Sequence, residues 1–223
     1  MANKLKNKAF TFLYKVDQRI FRFHDYIIDK KICHRSISEY IPSVFRDDEK
    51  GIGSTGSEST HYLIIKEIFS HVKLTENDSF IDIGCGMGRV LAYLLNEKVR
   101  CKISGVEINE KSGRVALEWA ENYDNVNVIL GDAFELDYND YNVFFLGRPF
   151  LPQTFKEFIE QFEQKLTHPI TFIYWVDQQS GELLDGRKGW DKQYQKKILK
   201  VSGLRVAFVE QGYSVWTYTP DNN

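Results

Sequence analysis

Phe80-Ile81-Asp82-Ile83-Gly84-Cys85-Gly86-Met87-Gly88-Arg89-Val90-Leu91 runs from apolar residues through alternate glycines into a second apolar pattern. Phe80, Ile81 and Ile83 read as a buried strand. Val90, Leu91, Leu94 and Leu95 then recur at helical spacing. The reading is strand, tight turn, helix. Glycine lets the backbone turn sharply and lie close to a ligand, and the helix that follows points its free N–H groups at the turn. That places a nucleotide-type site at the carboxyl end of the first strand of an open α/β sheet. A dinucleotide fingerprint requires Gly or Ala at the position held here by Arg89. The glycines instead fall at 84, 86 and 88, and an acid, Asp82, precedes them.

Two further strands end in polar residues at matching distances. Ile103-Ser104-Gly105-Val106-Glu107-Ile108-Asn109 is a short apolar run ending in an acid, 23 residues after Gly84. Val126-Asn127-Val128-Ile129-Leu130-Gly131-Asp132-Ala133-Phe134 is another, ending in Gly-Asp-Ala. With D-x-G-x-G-x-G, these stretches resemble the class I S-adenosylmethionine (SAM) methyltransferases, well over residues 78 to 150 and beyond them only in general architecture. The resemblance implies a seven-stranded, mostly parallel Rossmann-like α/β sheet with helices on both faces. It also implies an antiparallel closing hairpin, with an N-terminal helical extension added. It implies SAM as cofactor and S-adenosylhomocysteine as product. Asp82 would then serve the ammonium group, with Gly84, Cys85, Gly86 and Gly88 around the amino-acid end of SAM. Glu107 would accept the ribose hydroxyls, Asp132 with the Ala133 backbone would serve the adenine, and Ile108 would be a further cofactor contact.

A chain of 223 residues holds one well-cored α/β domain and an extension. We divide it into an N-terminal helical extension, lid and linker over 1–56 and a SAM-binding domain over 57–223. A net charge of −2 gives no overall bias toward nucleic acid. Cys33, Cys85 and Cys101, an odd number at unrelated spacings, indicate neither a disulfide framework nor a zinc site. No metal is expected. No apolar run reaches the ~18 residues of a membrane span, and no signal peptide is visible, so a cytoplasmic protein is expected.

Residues 1 to 35 form a basic segment in which Leu13, Val16, Ile20, Phe23 and Ile27 recur at three- and four-residue steps. One reading packs this amphipathic helix, or pair of helices, on the core with its charges in water. The others make it a lid, a homodimer contact, or a patch for a phosphorylated glycan, an RNA or a membrane surface. Gly51 to Thr60 reads as a flexible loop, with Ser57, Ser59 or Thr60 capping the next helix. If that loop closes over SAM, from Ser57 to Tyr62, His61 and Tyr62 come near the methyl group. Tyr141 to Leu146 reads as a buried parallel strand. It leads to Arg148, where amide and base methyltransferases carry Asn or Asp. Arg148 would orient an acceptor anion or pair with a neighbouring acid. Pro152 opens a helix, Ile170 to Val176 is a strand, and Asp177 to Gly189 is a polar insertion. Strands near Ile198–Phe208 and Tyr213–Tyr218, joined by a Gln211-Gly212 turn, would close the sheet.

Methyl transfer is a displacement at an already activated carbon, so placement and water exclusion do most of the work. His61, Asp132, Tyr174 and Asp177 are candidate bases by location alone, and none is assigned. The expected function is methyl transfer to oxygen or nitrogen of a small molecule or glycan-type metabolite. The alternatives are a protein-lysine or RNA methyltransferase, and a SAM-binding regulator without catalysis.

Overall fold

The computed structural model describes residues 2–40, 44–47, 52–54 and 59–221. It begins with a 31-residue helix, α1 (Ala2–Ile32), and a small antiparallel hairpin, β1 (Val44–Asp47) and β2 (Ile52–Ser54). Then come α2 (Tyr62–Phe69), β3 (Ser79–Ile83), α3 (Arg89–Asn96), β4 (Lys102–Glu107), α4 (Glu110–Ala120), β5 (Val126–Leu130) and β6 (Val143–Leu146). After these follow α5 (Pro152–Lys165), β7 (Ile170–Trp175), β8 (Trp190–Ile198), the two-residue strands β9 (Lys200–Val201) and β10 (Leu204–Arg205), and β11 (Gln211–Tyr218).

Seven strands make one sheet in the order β5-β4-β3-β6-β7-β11-β8. The first five are parallel, and β11 runs antiparallel to both β7 and β8. Period-two alternation divides the central strands between two cores. Phe80, Val143, Phe145, Ile173 and Trp175 face one side, beneath α1 to α4. Ile81, Ile83, Phe144, Leu146, Phe172 and Tyr174 face the other, where α5 contributes Phe155, Phe158, Ile159 and Phe162. The chain leaves β3 toward β4 on one side, and β6 pairs with β3 on the other. The carboxyl end of β3 is therefore a topological switch point, where open α/β sheets bind ligands.

Three expectations need correction. The strand placed near Ile198–Phe208 is in fact Trp190–Ile198, and the proposed turn Gln211-Gly212 is the start of β11. WDKQYQKKI is mostly polar, as suits a sheet edge, where exposed lysines blunt further pairing. Within the expected flexible loop, Ile52–Ser54 is strand; Ser57 and the rest of 55–58 lie outside the described residues. The third concerns α1. Of its apolar stripe only Val16 is half-buried; Leu13, Ile20, Phe23 and Ile27 are exposed. The opposite side, with Phe21, Asp25, Asp29 and Ile32, is buried.

Candidate cofactor site

The turn after β3 is held from three directions. Gly84 and Cys85 donate their N–H groups to the Val106 carbonyl of β4, at 2.9 and 3.0 Å. From α4, Trp119 donates Nε1–H to the Met87 carbonyl at 2.9 Å, and its ring covers Gly88. From the loop after β6, Pro149 covers Gly84. Gly84 has φ +74°, and a Cβ there would lie 2.5 Å from Pro149 Cβ. Gly88 has φ +86° and would meet Trp119 at 2.6 Å. These glycines therefore serve packing. Gly84→Ala is expected to cost about 2–4 kcal/mol, combining left-handed strain with overpacking; urea unfolding measures it. The Cys85 side chain turns inward against Gly105, leaving only its backbone for a ligand.

Two buried acids stand at the carboxyl ends of adjacent strands. Glu107 accepts the Gly86 N–H on Oε2 at 2.8 Å and the Asn109 N–H on Oε1 at 2.7 Å. The acid thus spans the glycine turn and the start of α4, which Asn109 caps by accepting the Ser112 N–H. Burial raises the Glu107 pKa against these hydrogen bonds. Asp82 is 3% exposed, and burial, then the nearby charge of Glu107, raise its pKa well above the usual carboxylate range. Asp132 accepts the Phe134 N–H on Oδ1 and caps a short 3-10 turn, Ala133–Glu135. Ala133 is buried, while Ile108, beside Glu107, is 42% exposed. A cradle with an acid at each of two strand ends and an apolar residue beside them fits a ligand with a cationic end, hydroxyls and a flat apolar ring. It does not fit a pyrophosphate, which would sit against two acids.

Arg89 is the main site-adjacent residue that the sequence reading missed. It opens α3, is 4% exposed, and reaches back to α1. Its Nη1 donates to Asp25 Oδ2 and to the Ser59 carbonyl, both at 3.3 Å. Its Nη2 donates to Asp29 Oδ2 at 3.0 Å, to the Ile37 carbonyl at 3.1 Å and to Ser38 Oγ. The signal was present: Asp25 and Asp29, four apart in a basic helix, lie on one face.

The same network decides the fate of two candidates. His61 places Nδ1 2.5 Å from Asp25 Oδ2 and Nε2 3.2 Å from Gln18 Oε1, and stacks on Phe21. Tyr62 is buried, with its hydroxyl donating to Asp29 Oδ1 at 2.8 Å. Both side chains are thus engaged by α1. Ser59 and Thr60 do not cap α2. Its N-cap is His61, and Asp25 Oδ1 accepts the Tyr62 N–H at 3.1 Å, so the cap comes from α1. Ser59 Oγ donates to the Ile37 carbonyl instead.

The two candidates at the end of β7 are buried. Tyr174 is fully buried and stacked on Phe155, and burial pushes its pKa up to about 12. Asp177 is buried and accepts from Gln195 Nε2 at 2.9 Å. At the ends of β6 and β7, Arg148 and Val176 both adopt left-handed backbone, with φ of +55° and +61°. A non-glycine residue there is uncommon, and a β-branched one is an outlier. Among the described residues, no group of three or more His, Cys, Asp or Glu side chains could hold a metal ion.

Comparison with known proteins agrees with this architecture. Residues 74–170 match the family model of a methyltransferase domain. Over 80 residues the chain is 32% identical to the ribosomal RNA small subunit methyltransferase A of Natranaerobius thermophilus. That match covers 34% of this chain and 25% of the relative, so the chain spans only a quarter of the relative's length. The solved structure of an RNA methyltransferase from Salinibacter ruber, in complex with S-adenosyl-L-homocysteine, superposes with a TM-score of 0.51. It shares 18% identity and covers 74% of this chain and 95% of its own. A SAM-dependent O-methyltransferase from Thermotoga maritima superposes at 0.54, with 17% identity, covering 75% and 69%. At these identities the structural likeness is one of fold.

Proposed function

We propose that this chain, whose fold is that of the class I SAM-dependent methyltransferases, binds SAM at the β3–β4 edge and transfers its methyl group. The observation that carries the reading is the pair of buried acids, Asp82 and Glu107, at the glycine turn. Asp82 would hold the ammonium, and Glu107 would accept the ribose hydroxyls while its other lone pairs keep the Gly86 and Asn109 amides. Asp132 and the Ala133 N–H would read the adenine, with Ile108 against its face. SAM supplies an electrophilic methyl on a sulfonium, so the protein's part is to align an acceptor atom and exclude water. His61 and Asp177 are tied into structural contacts and Tyr174 is fully buried, so the reading assigns no general base. It suits an acceptor nitrogen or oxygen with an available lone pair.

RNA is the acceptor to test first. The curated relative and one of the structural neighbours described above are named RNA methyltransferases. Arg148 favours the second reading, a small-molecule or glycan-type acceptor, because it stands where base methyltransferases carry an amide or acid.

Calorimetry with SAM, S-adenosylhomocysteine and NAD tests the core of this proposal. Wild type is expected to bind the first two in the micromolar range and NAD not at all. Glu107→Ala should lose about 10- to 100-fold, the worth of charge-assisted hydrogen bonds. NAD binding without SAM binding would overturn the reading. Labelled SAM offered with ribosomal RNA, transfer RNA and a metabolite pool then separates the acceptor classes.

A further inference from the structure

The outer face of α1 is apolar, basic and without an acid. Leu13, Ile20, Phe23 and Ile27 recur at steps of seven, three and four, forming one stripe with Phe12. Leu13 is 62% exposed and Phe23 68%. Lys15, Arg19, Arg22, Lys30 and Lys31 are also exposed on this helix. All three acids of α1 point inward. Asp25 and Asp29 are fully buried under Arg89, and Asp17 accepts the Arg205 N–H at 3.1 Å. A folded domain does not ordinarily leave so long an apolar stripe in water.

We propose that this face docks the protein on an anionic lipid surface, with α1 lying in the plane of the interface. Charge selects this occupant over two others. In a second copy, the stripe would bring two acid-free, lysine- and arginine-rich faces together with nothing to neutralise them. A nucleic acid would satisfy the cations, but Leu13, Ile20 and Ile27 gain nothing from a phosphate backbone. A bilayer with anionic headgroups meets both needs: the stripe enters the acyl boundary and the basic residues meet the headgroups. The helix lies on such a surface rather than across it, because none among the described residues is long and apolar enough to span. The inference stands apart from the choice of methyl acceptor.

Flotation of the full chain with vesicles tests it. Wild type should bind phosphatidylcholine mixed with phosphatidylglycerol at least ~10-fold more tightly than phosphatidylcholine alone, and less tightly as salt rises. The double variant Ile20→Ser/Phe23→Ser keeps every charge and removes only outward-facing groups. It should lose at least ~10-fold in vesicle binding, with circular dichroism and SAM binding unchanged. In Phe23→Trp, the indole emission should shift to the blue on mixed vesicles. Three results would overturn the proposal. One is equal vesicle binding by wild type and the serine variant. Another is a dimer, lost in the serine variant, with no vesicle binding. The third is retention on polyuridylate, lost in Arg19→Gln/Arg22→Gln, again with no vesicle binding.

Discussion

Arg89→Met is expected to cost about 3–5 kcal/mol of folding stability, the usual penalty for removing one partner of a buried ion pair. The size follows from what is left behind. Asp25 and Asp29 are both fully buried, and Arg89 donates to each of them. The same guanidinium carries the carbonyls of Ile37 and Ser59, so the methionine also leaves backbone acceptors unmet. Arg89→Lys should recover little, because one ammonium with three donors cannot span acceptors fanned across two helix turns and a loop. Adding Asp25→Asn and Asp29→Asn to Arg89→Met should recover much of the loss, since it removes the stranded charges. Urea unfolding followed by tryptophan fluorescence measures each step. A loss below ~1 kcal/mol for Arg89→Met would mean that water reaches the two aspartates. Limited proteolysis adds a spatial readout: cleavage in α1 should precede cleavage in the sheet, because this network ties α1 to α3.

Asp82→Asn should weaken SAM binding by about 10- to 100-fold, the range for a hydrogen bond to a charged group, yet leave the free protein more stable at neutral pH. The sign follows from the raised pKa of Asp82, whose first cause is burial and second the charge of Glu107. A carboxyl raised in the folded state is favourable to folding below its unfolded pKa, where both states hold the proton. That advantage is lost as pH climbs from the unfolded to the folded value. Above the folded value the full cost of an ionised buried acid remains. The stability gap between Asp82→Asn and wild type should thus close toward pH ~4 and widen as pH rises toward the folded pKa. Binding runs the other way. A cationic ligand favours ionised Asp82, so wild type should release a proton on binding SAM, and its affinity should rise with pH until the folded pKa is passed. Calorimetry in buffers of different ionisation enthalpy reads that proton directly. A destabilised Asp82→Asn would show that the acid is held for structure rather than for a ligand.

The sequence exposed the sheet's central strands because each carries its signal within a short window. Phe80 to Ile83, Asp82 apart, and Val143 to Leu146 carry apolar residues on both faces, as a strand between two layers requires. The glycines at 84, 86 and 88 mark the turn by backbone demand, and all three have positive φ. Glu107 and Asp132 end their strands within a residue or two, so their height at the carboxyl edge follows from strand length alone. The edge strand β8 escaped notice for the converse reason. Its burial pattern leaves only its two terminal residues fully inside, and no hydrophobic period survives.

Periodicity along one chain tells that a helix has an apolar stripe; it does not tell where the core lies. In α1 the stripe met water and the opposite face met α3, because Arg89 offered Asp25 and Asp29 a charge that Leu13 and Phe23 could not use. The partner stands 60 and 64 residues away in sequence, beyond any local pattern. The same holds for Pro149 over Gly84 and Trp119 over Gly88, contacts made between elements that the sheet alone brings together. Strand, turn and helix were thus determined by the local sequence. Which faces met, and which residues were spent on structure rather than left for a ligand, was decided by tertiary packing, because those energies belong to pairs of residues distant along the chain.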